Sequence, residues 1–271
     1  MKNGIHFISG LPRSGSTLLS AILRQNPAFH AGMTSPVGSL VSVLLREMSQ
    51  RNETAVFIDN EQREAILRGI FENYYQAIHP RQTVFDTNRM WCAKLHVILG
   101  LFPEAKVICC VRHIPWIIDS IERLIRRNRW ELSSIFDFDT GGTIYSRAEG
   151  LTSRNGMVGF ACNALKQAMH SEEADRLLLV SYEELTAHPA RVLEGLYDFL
   201  GLEPVRHDFE NVSYEAGEFD ARLGTPGLHR VARAVRPPER ESLLPPDLWR
   251  RYEKESFWLD AAFNRRNVTV A

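Results

Sequence analysis

The sequence predicts an α/β fold in which a central parallel sheet lies between layers of helices and an irregular C-terminal extension follows. Three observations carry this. Short apolar runs recur as far as about Leu200, each separated from the next by a segment of helical periodicity. One of them, Lys106 to Val111 (Lys-Val-Ile-Cys-Cys-Val), is apolar without alternation, as in a strand covered on both faces. The first run ends in a glycine-bearing turn that opens a helix.

In order, Ile5–Ser9 reads as a buried first strand, and Ser16–Gln25 as a helix with Leu18, Leu19, Ile22 and Leu23 on one side, stopped by Asn26-Pro27. Gly38–Met48 and Glu61–Ile78 read as two further helices around a polar loop. Val84–Asp86 is a brief second strand, and Trp91–Leu101 a helix closed by Pro103. After the strand at Lys106, Pro115 marks the first turn of a helix reaching about Arg127. Asn128–Gly142 reads as a loop. Met157–His170 is a helix, Leu177–Val180 a fourth strand, and Ala190–Leu200 a helix after Pro189. From Gly201 the pattern breaks down. No repeat or linker divides the chain, so residues 1–271 are expected to form one domain.

The 271 residues suffice to bury a core without disulfides or metal. Thirty-two Lys+Arg against 33 Asp+Glu argue against a general nucleic-acid binder and give no reason to expect a membrane surface. No apolar run reaches the roughly 18 residues of a membrane span, and Gly10 and Arg13 come too early for a secretory leader. Cys92, Cys109, Cys110 and Cys162 lack zinc-site spacing, so no metal is expected. Cys109 and Cys110 read as core, and a reduced, cytoplasmic setting is the default expectation. Only five of the basic residues are lysines; the rest are arginines, whose forked donors suit phosphate and sulfate oxygens.

The strongest chemical signal is Gly10-Leu11-Pro12-Arg13-Ser14-Gly15-Ser16-Thr17. Its glycines and Thr17 have the spacing of a phosphate-binding loop, which turns backbone N–H groups and a helix N-terminus toward an oxyanion. Ser16 stands where a nucleotide hydrolase carries lysine, and the cation has moved to Arg13. The strong strand ends in Arg112-His113 and offers no acid for magnesium. The fold is therefore expected to be P-loop-like and three-layered, with an anionic nucleotide bound without magnesium. The competing reading is an ordinary glycine-containing turn. Ser120, eight residues past Arg112, brings a hydroxyl to the same crevice, where the pair makes a second phosphate site. Taken alone, Arg112 and Ser120 also fit a surface ion-pair region.

The loop, continued by Leu18-Leu19, resembles the 5′-phosphosulfate loop of sulfotransferases that use 3′-phosphoadenosine-5′-phosphosulfate (PAPS). Val111-Arg112 followed by Ser120 resembles their 3′-phosphate motif. Ser181-Tyr182-Glu183-Glu184-Leu185, His188-Pro189 and Phe199-Leu200-Gly201-Leu202 resemble a later family segment. The similarity runs from Ile5 to about Leu202, nearest in flavour to the tyrosylprotein sulfotransferases and their bacterial relatives. The resemblance implies that Arg13, Ser14, Gly15, Ser16 and Thr17 hold the 5′-phosphosulfate, that Arg112 and Ser120 hold the 3′-phosphate, and that Tyr182 approaches the adenosine. Asn88-Arg89 matches a family Asn-Lys pair whose cation stabilises the sulfate in flight. Arg13 and Arg89 are thus the expected catalytic charges, and a structural ion pair is the competing reading of Arg89. In the family a late basic loop folds over the nucleotide; within Gly224–Arg236 here, Gly227 and Arg230 are the expected contacts.

One family feature is absent. The animal tyrosylprotein enzymes place a glutamate base after the first helix, where this chain has Ala31-Gly32-Met33-Thr34-Ser35-Pro36. Asp86 and His113 are the candidates for a base by proximity to strand ends, each also readable as structural, and Met33-Thr34-Ser35 is a candidate wall of the acceptor pocket. The expectation is sulfuryl transfer from PAPS to an acceptor hydroxyl by in-line displacement. The acceptor is a peptide tyrosine or another hydroxyl-bearing molecule, and a homodimer is compatible with the sequence. A kinase with a degenerate loop and a non-catalytic nucleotide-binding module stay open.

Overall fold

A computed structural model describes residues 4–78, 82–139, 141–231 and 233–271. In chain order the elements are β1 (Ile5–Gly10), α1 (Ser16–Leu23), β2 (Phe29–Ala31), α2 (Val37–Glu47), α3 (Asn60–Tyr74), β3 (Thr83–Thr87), α4 (Leu95–Leu101), β4 (Val107–Val111) and α5 (Ile114–Arg127). There follow α6 (Ile144–Thr152), α7 (Met157–His170), β5 (Leu177–Ser181), α8 (Tyr182–Ala187), α9 (Pro189–Leu200), α10 (Gly217–Arg222), α11 (Pro246–Tyr252) and β6 (Thr269–Val270). The six strands form one sheet in the order β2-β3-β1-β4-β5-β6, with every pairing parallel. The α/β expectation holds.

The strands sort their side chains by the two-residue period. Phe7, Val107, Cys109, Val111, Leu177 and Leu179 enter a core on one face, with Phe71, Trp91 and Ile117. Ile8, Ile108, Cys110, Leu178 and Val180 enter a second core on the other, with Leu19, Ile22, Phe85 and Leu196. Cys109 and Cys110 are core residues, and the four cysteines are free thiols. Among the described residues no helix is long and apolar enough to cross a membrane.

Several elements depart from the sequence expectation. Val84–Asp86 belongs to the third strand, because the three residues Phe29–Ala31 already form an edge strand beyond it. A piece that short shows no period to read. The segment Trp91–Leu101 starts as a 3-10 turn at Arg89–Lys94, opened by the Asn88 side chain accepting from the Met90 N–H at 3.1 Å, and becomes α-helical only at Leu95. The tail after Gly201 contains two short helices, and its end returns to pair Thr269 and Val270 with β5.

The topology fixes where a ligand can sit. From β1 the chain moves outward to β2 and β3, then crosses to the other side of β1 with β4 and β5. The β1/β4 boundary is therefore a switch point, and the crevice lies past the carboxyl ends of these two strands.

Candidate active site

Gly10 closes β1 against β4 so tightly that only glycine fits. Its φ is +109°, and a Cβ there would stand 2.1 Å from the Cys110 carbonyl oxygen. The Leu11 N–H then donates to that carbonyl at 2.8 Å. Arg13 takes a left-handed φ of +57° and Gly15 one of +94°, so the chain curls back on itself before α1. No side chain caps α1, and the first amides of a helix have no internal acceptor, so Ser16 and Thr17 open the helix with N–H groups free for an anion. The Ser14 hydroxyl is turned inward, donating to the Leu11 and Cys110 carbonyls at 2.5 and 2.9 Å. What Ser14 can offer an anion is its backbone N–H.

Arg112 and Ser120, expected at one phosphate, are joined through Arg13. Arg112 leaves β4, donates to the Arg13 carbonyl at 3.1 Å, and lies over the Tyr182 ring at 3.9 Å from its centroid. The same ring packs against Gly15, where a Cβ would come within 2.8 Å of it. The Arg13 Nε donates to the Ser120 hydroxyl at 3.1 Å, and its Nη1 to the Leu228 carbonyl. Arg13, Arg112, Ser120 and Tyr182 thus form one corner, with the Arg13 guanidinium aimed at the Ser120 end.

That corner is electrostatically incomplete. Burial, and next the charge of Arg112, lower the Arg13 pKa to about 10, and burial lowers that of Arg112. Nearby Asp119 is committed to Arg123 and Arg240, at 2.9 and 3.0 Å. The buried Arg112 Nε has no hydrogen-bond partner among the described residues. Two cations side by side, one with an orphaned donor, are what an anion would complete.

Arg89 follows β3 through Asn88, and its backbone carbonyl accepts from the Ser9 hydroxyl at 3.1 Å. Its side chain reaches solvent from a crowded wall whose desolvation lowers its pKa. Among the described residues it forms no ion pair, which leaves the structural-bridge reading of Arg89 without a partner.

Beside the corner opens a cavity of about 1080 Å³, with Arg13, Ser120, Gly227 and Arg230 in its wall. Gly227 has φ +82°, and Arg230 lies 3.8 Å from Glu215 at the exposed rim. Arg233, from the late basic loop Gly224–Arg236, also lines it, together with Arg24, Arg123, Arg127 and Tyr214, which sequence reasoning missed. Arg123 and Arg127 follow Ser120 at helical spacing on α5, a signal that was readable. Arg24 and Tyr214 arrive by tertiary folding alone.

Neither sequence candidate for a base is placed to act. Asp86 is wholly buried and accepts from Ser35, Tyr75 and Trp91 at 2.6, 2.6 and 2.8 Å. Burial nonetheless raises its pKa, against those three donors. His113 is engaged by its Nε2 with the Glu253 carbonyl at 2.9 Å and packs on Trp249, among C-terminal residues. Met33 and Ser35 are also tied down, by the Tyr214 hydroxyl and by Asp86. A histidine–carboxylate pair does stand in the late loop, where His229 Nδ1 lies 2.5 Å from Asp220. These residues are nine positions apart across a turn, a spacing with no sequence signature.

With this geometry in view, comparison with known proteins assigns the class. The model of the sulfotransferase family matches residues 6–206, and the chain belongs to that family. It is 25% identical over 224 residues to Protein-tyrosine sulfotransferase 1 of Danio rerio, a match covering 78% of this chain and 58% of the relative. The chain thus corresponds to little more than half of that protein's length. Solved structures share the fold. The sulfotransferase from Alicyclobacillus acidocaldarius has a TM-score of 0.59 at 14% identity, over 99% of this chain and 96% of that one. The sulfotransferase domain from the curacin biosynthetic pathway gives 0.55 at 19% identity, over 97% and 96%. Mouse sulfotransferase SULT7A1, solved with PAP, gives 0.53 at 13% identity, over 98% and 88%.

Proposed function

We propose that this chain transfers the sulfuryl group of PAPS to an acceptor hydroxyl. The observation that carries the reading is the corner of half-buried Arg13 and buried Arg112, two guanidiniums with no ion-pair partner among the described residues, beside a phosphate-type loop. A nucleotide with separated anionic groups fits it. The amides at Ser14 to Thr17 would take one anion, and Arg112 with Ser120, linked through Arg13, a second. Gly227 and Arg230 wall the cavity that would take the adenosine, with Tyr182 beneath Arg112. The PAP in the mouse neighbour's structure supports the same nucleotide.

The cofactor supplies an activated sulfuryl group, and the protein's own part is alignment and charge. Arg13 and Arg112 are engaged by Ser120, Leu228 and the Arg13 carbonyl, whereas Arg89 forms no ion pair among the described residues, so it takes the larger share of stabilising charge on the sulfuryl oxygens. The Arg13 guanidinium, turned to Ser120, binds the nucleotide and closes the late loop through Leu228. The tyrosine-specific relative supports a peptide tyrosine as acceptor. A kinase reading is disfavoured by Ser16 in the lysine position and by Arg112 at the end of β4.

The test is transfer of label from sulfuryl-labelled PAPS to a tyrosine peptide, a simple phenol, a sugar and water in parallel. Label on a hydroxyl with matching release of PAP supports the reading, and transfer to the peptide first among the four supports the tyrosine acceptor. PAPS that stays intact with all four would sink it.

A further inference from the structure

We infer that His229, oriented by Asp220, is the catalytic base that takes the proton from the acceptor hydroxyl; the inference rests on the sulfuryl-transfer reading above. Asp220 is buried at 1% exposure and gives both oxygens to His229. One accepts the His229 backbone N–H at 2.8 Å, the other faces Nδ1 at 2.5 Å. An ionised carboxylate only accepts, so the proton lies on Nδ1 and the lone pair on Nε2. That nitrogen has no hydrogen-bond partner among the described residues.

The pair is held rigidly. The Thr225 N–H donates to the Asp220 carbonyl at 3.0 Å, and Asn128 donates to the Pro226 carbonyl at 3.1 Å. Gly224, at φ +64°, lets the loop pass within a Cβ's reach of the Leu132 carbonyl. The Arg13 guanidinium grips Leu228, the residue next to the histidine. The loop that borders the cavity therefore carries the imidazole next to the residue that Arg13 holds, within electrostatic reach of Arg13 and Arg89.

Asp220 from α10 and the Phe219 ring, at 5.6 Å, contact His229, and Arg13 from the β1–α1 loop and Arg89 from the turn after β3 act on it electrostatically. Burial, the largest influence, and the two arginines outweigh Asp220 and hold the imidazole below its ordinary pKa of 6.5. It is therefore neutral at pH 7 and able to accept a proton. In the step, Nε2 takes the acceptor's proton as the acceptor oxygen bonds to sulfur. The bond from sulfur to the bridging oxygen breaks, and its electron pair leaves on the 5′-phosphate of PAP. Asp220, a positioning residue, stabilises the imidazolium that results.

The experiment compares wild type with His229→Gln and Asp220→Asn in single-turnover PAPS cleavage, with water and with phenols of graded acidity. PAP affinity and the ring-nitrogen NMR signals of His229 are measured on the same preparations. The expected result is a His229→Gln rate loss of roughly 10²–10⁴-fold. The loss shrinks as the phenol becomes more acidic, PAP affinity is unchanged, and the acid limb of the wild-type pH profile disappears. The imidazole should show a single Nδ1–H tautomer in wild type. Asp220→Asn should keep PAP binding, lose that tautomer preference and lose rate. A normal rate in His229→Gln, or a proton fixed on Nε2 in wild type, overturns the inference. Wild type that binds PAP but leaves PAPS intact with every phenol overturns the sulfuryl-transfer reading, and the inference falls with it. Failure of wild type to bind PAP would also overturn the sulfuryl-transfer reading.

Discussion

Arg112 packs between the Arg13 carbonyl and the Tyr182 ring with its Nε unpartnered, so its side chain is worth more to a bound anion than to the empty fold. Arg112→Ala should therefore leave the melting temperature of the free protein unchanged or raised, through relief of repulsion with Arg13. It should weaken PAP by about 10- to 150-fold, the loss of a charge-assisted contact of about 1.5–3 kcal/mol. Titration calorimetry checks this, and unchanged affinity in a folded variant removes Arg112 from the site. Arg89 gives the opposite pattern. Arg89→Ala should keep PAP affinity and lower single-turnover transfer by about 10²–10³-fold, as for loss of one preorganised donor. Arg89→Lys should restore part of the rate by charge, without the fork. A normal rate in the alanine variant rules out the catalytic role. At this scale the motif residues were legible, because a phosphate loop is a local device. The direction of each side chain was not: Ser14 turning inward and Arg13 reaching Ser120 both depend on neighbours from β4 and α5.

The seam between β1 and β4 holds a pH-sensitive element. His6 is buried, and its Nδ1 accepts the Lys106 N–H at 3.1 Å, which requires a neutral ring. Burial, and then Lys106, lower its pKa from 6.5 to about 4. The unfolded chain thus binds a proton that the folded chain refuses. Stability is fully present above the unfolded pKa and is lost as pH falls from 6.5 toward 4, by on the order of 3 kcal/mol. His30, His207 and His229 are also lowered and act in the same direction. Urea unfolding at about pH 5 and about pH 8 should show this slope, and His6→Gln should flatten it. An unchanged slope in that variant places the acid sensitivity elsewhere. Long periodic elements such as α5, α7 and α9 were legible from spacing. The edge strands β2 and β6 were not, since two or three residues carry no period and are fixed by pairing. The helices α10 and α11 were hidden for a similar reason, being six and seven residues long.

At the scale of the whole molecule, the switch point at β1/β4 gathers segments that lie far apart in the chain. Arg13, Arg112 and Tyr182 come from the ends of three neighbouring strands, and Leu228 and His229 from a tail that the sequence pattern left without structure. The first set was readable because strand ends in a parallel sheet share one edge. For the second, only the resemblance suggested a loop over the nucleotide; its contacts were not readable, because a return loop has no periodicity and its contacts are set only once the sheet exists. The central claim is that this assembled crevice is built for a 3′-phosphorylated nucleotide without magnesium. Thermal-shift titration with PAP, ADP and ATP, each with and without magnesium, tests it most directly. A ligand at a hundredfold excess over its Kd adds about 2.7 kcal/mol of stability. The account predicts that PAP raises the melting temperature most and does so equally without magnesium, and that ATP shifts it little. Magnesium-dependent stabilisation by ATP equal to or above that by PAP would contradict it.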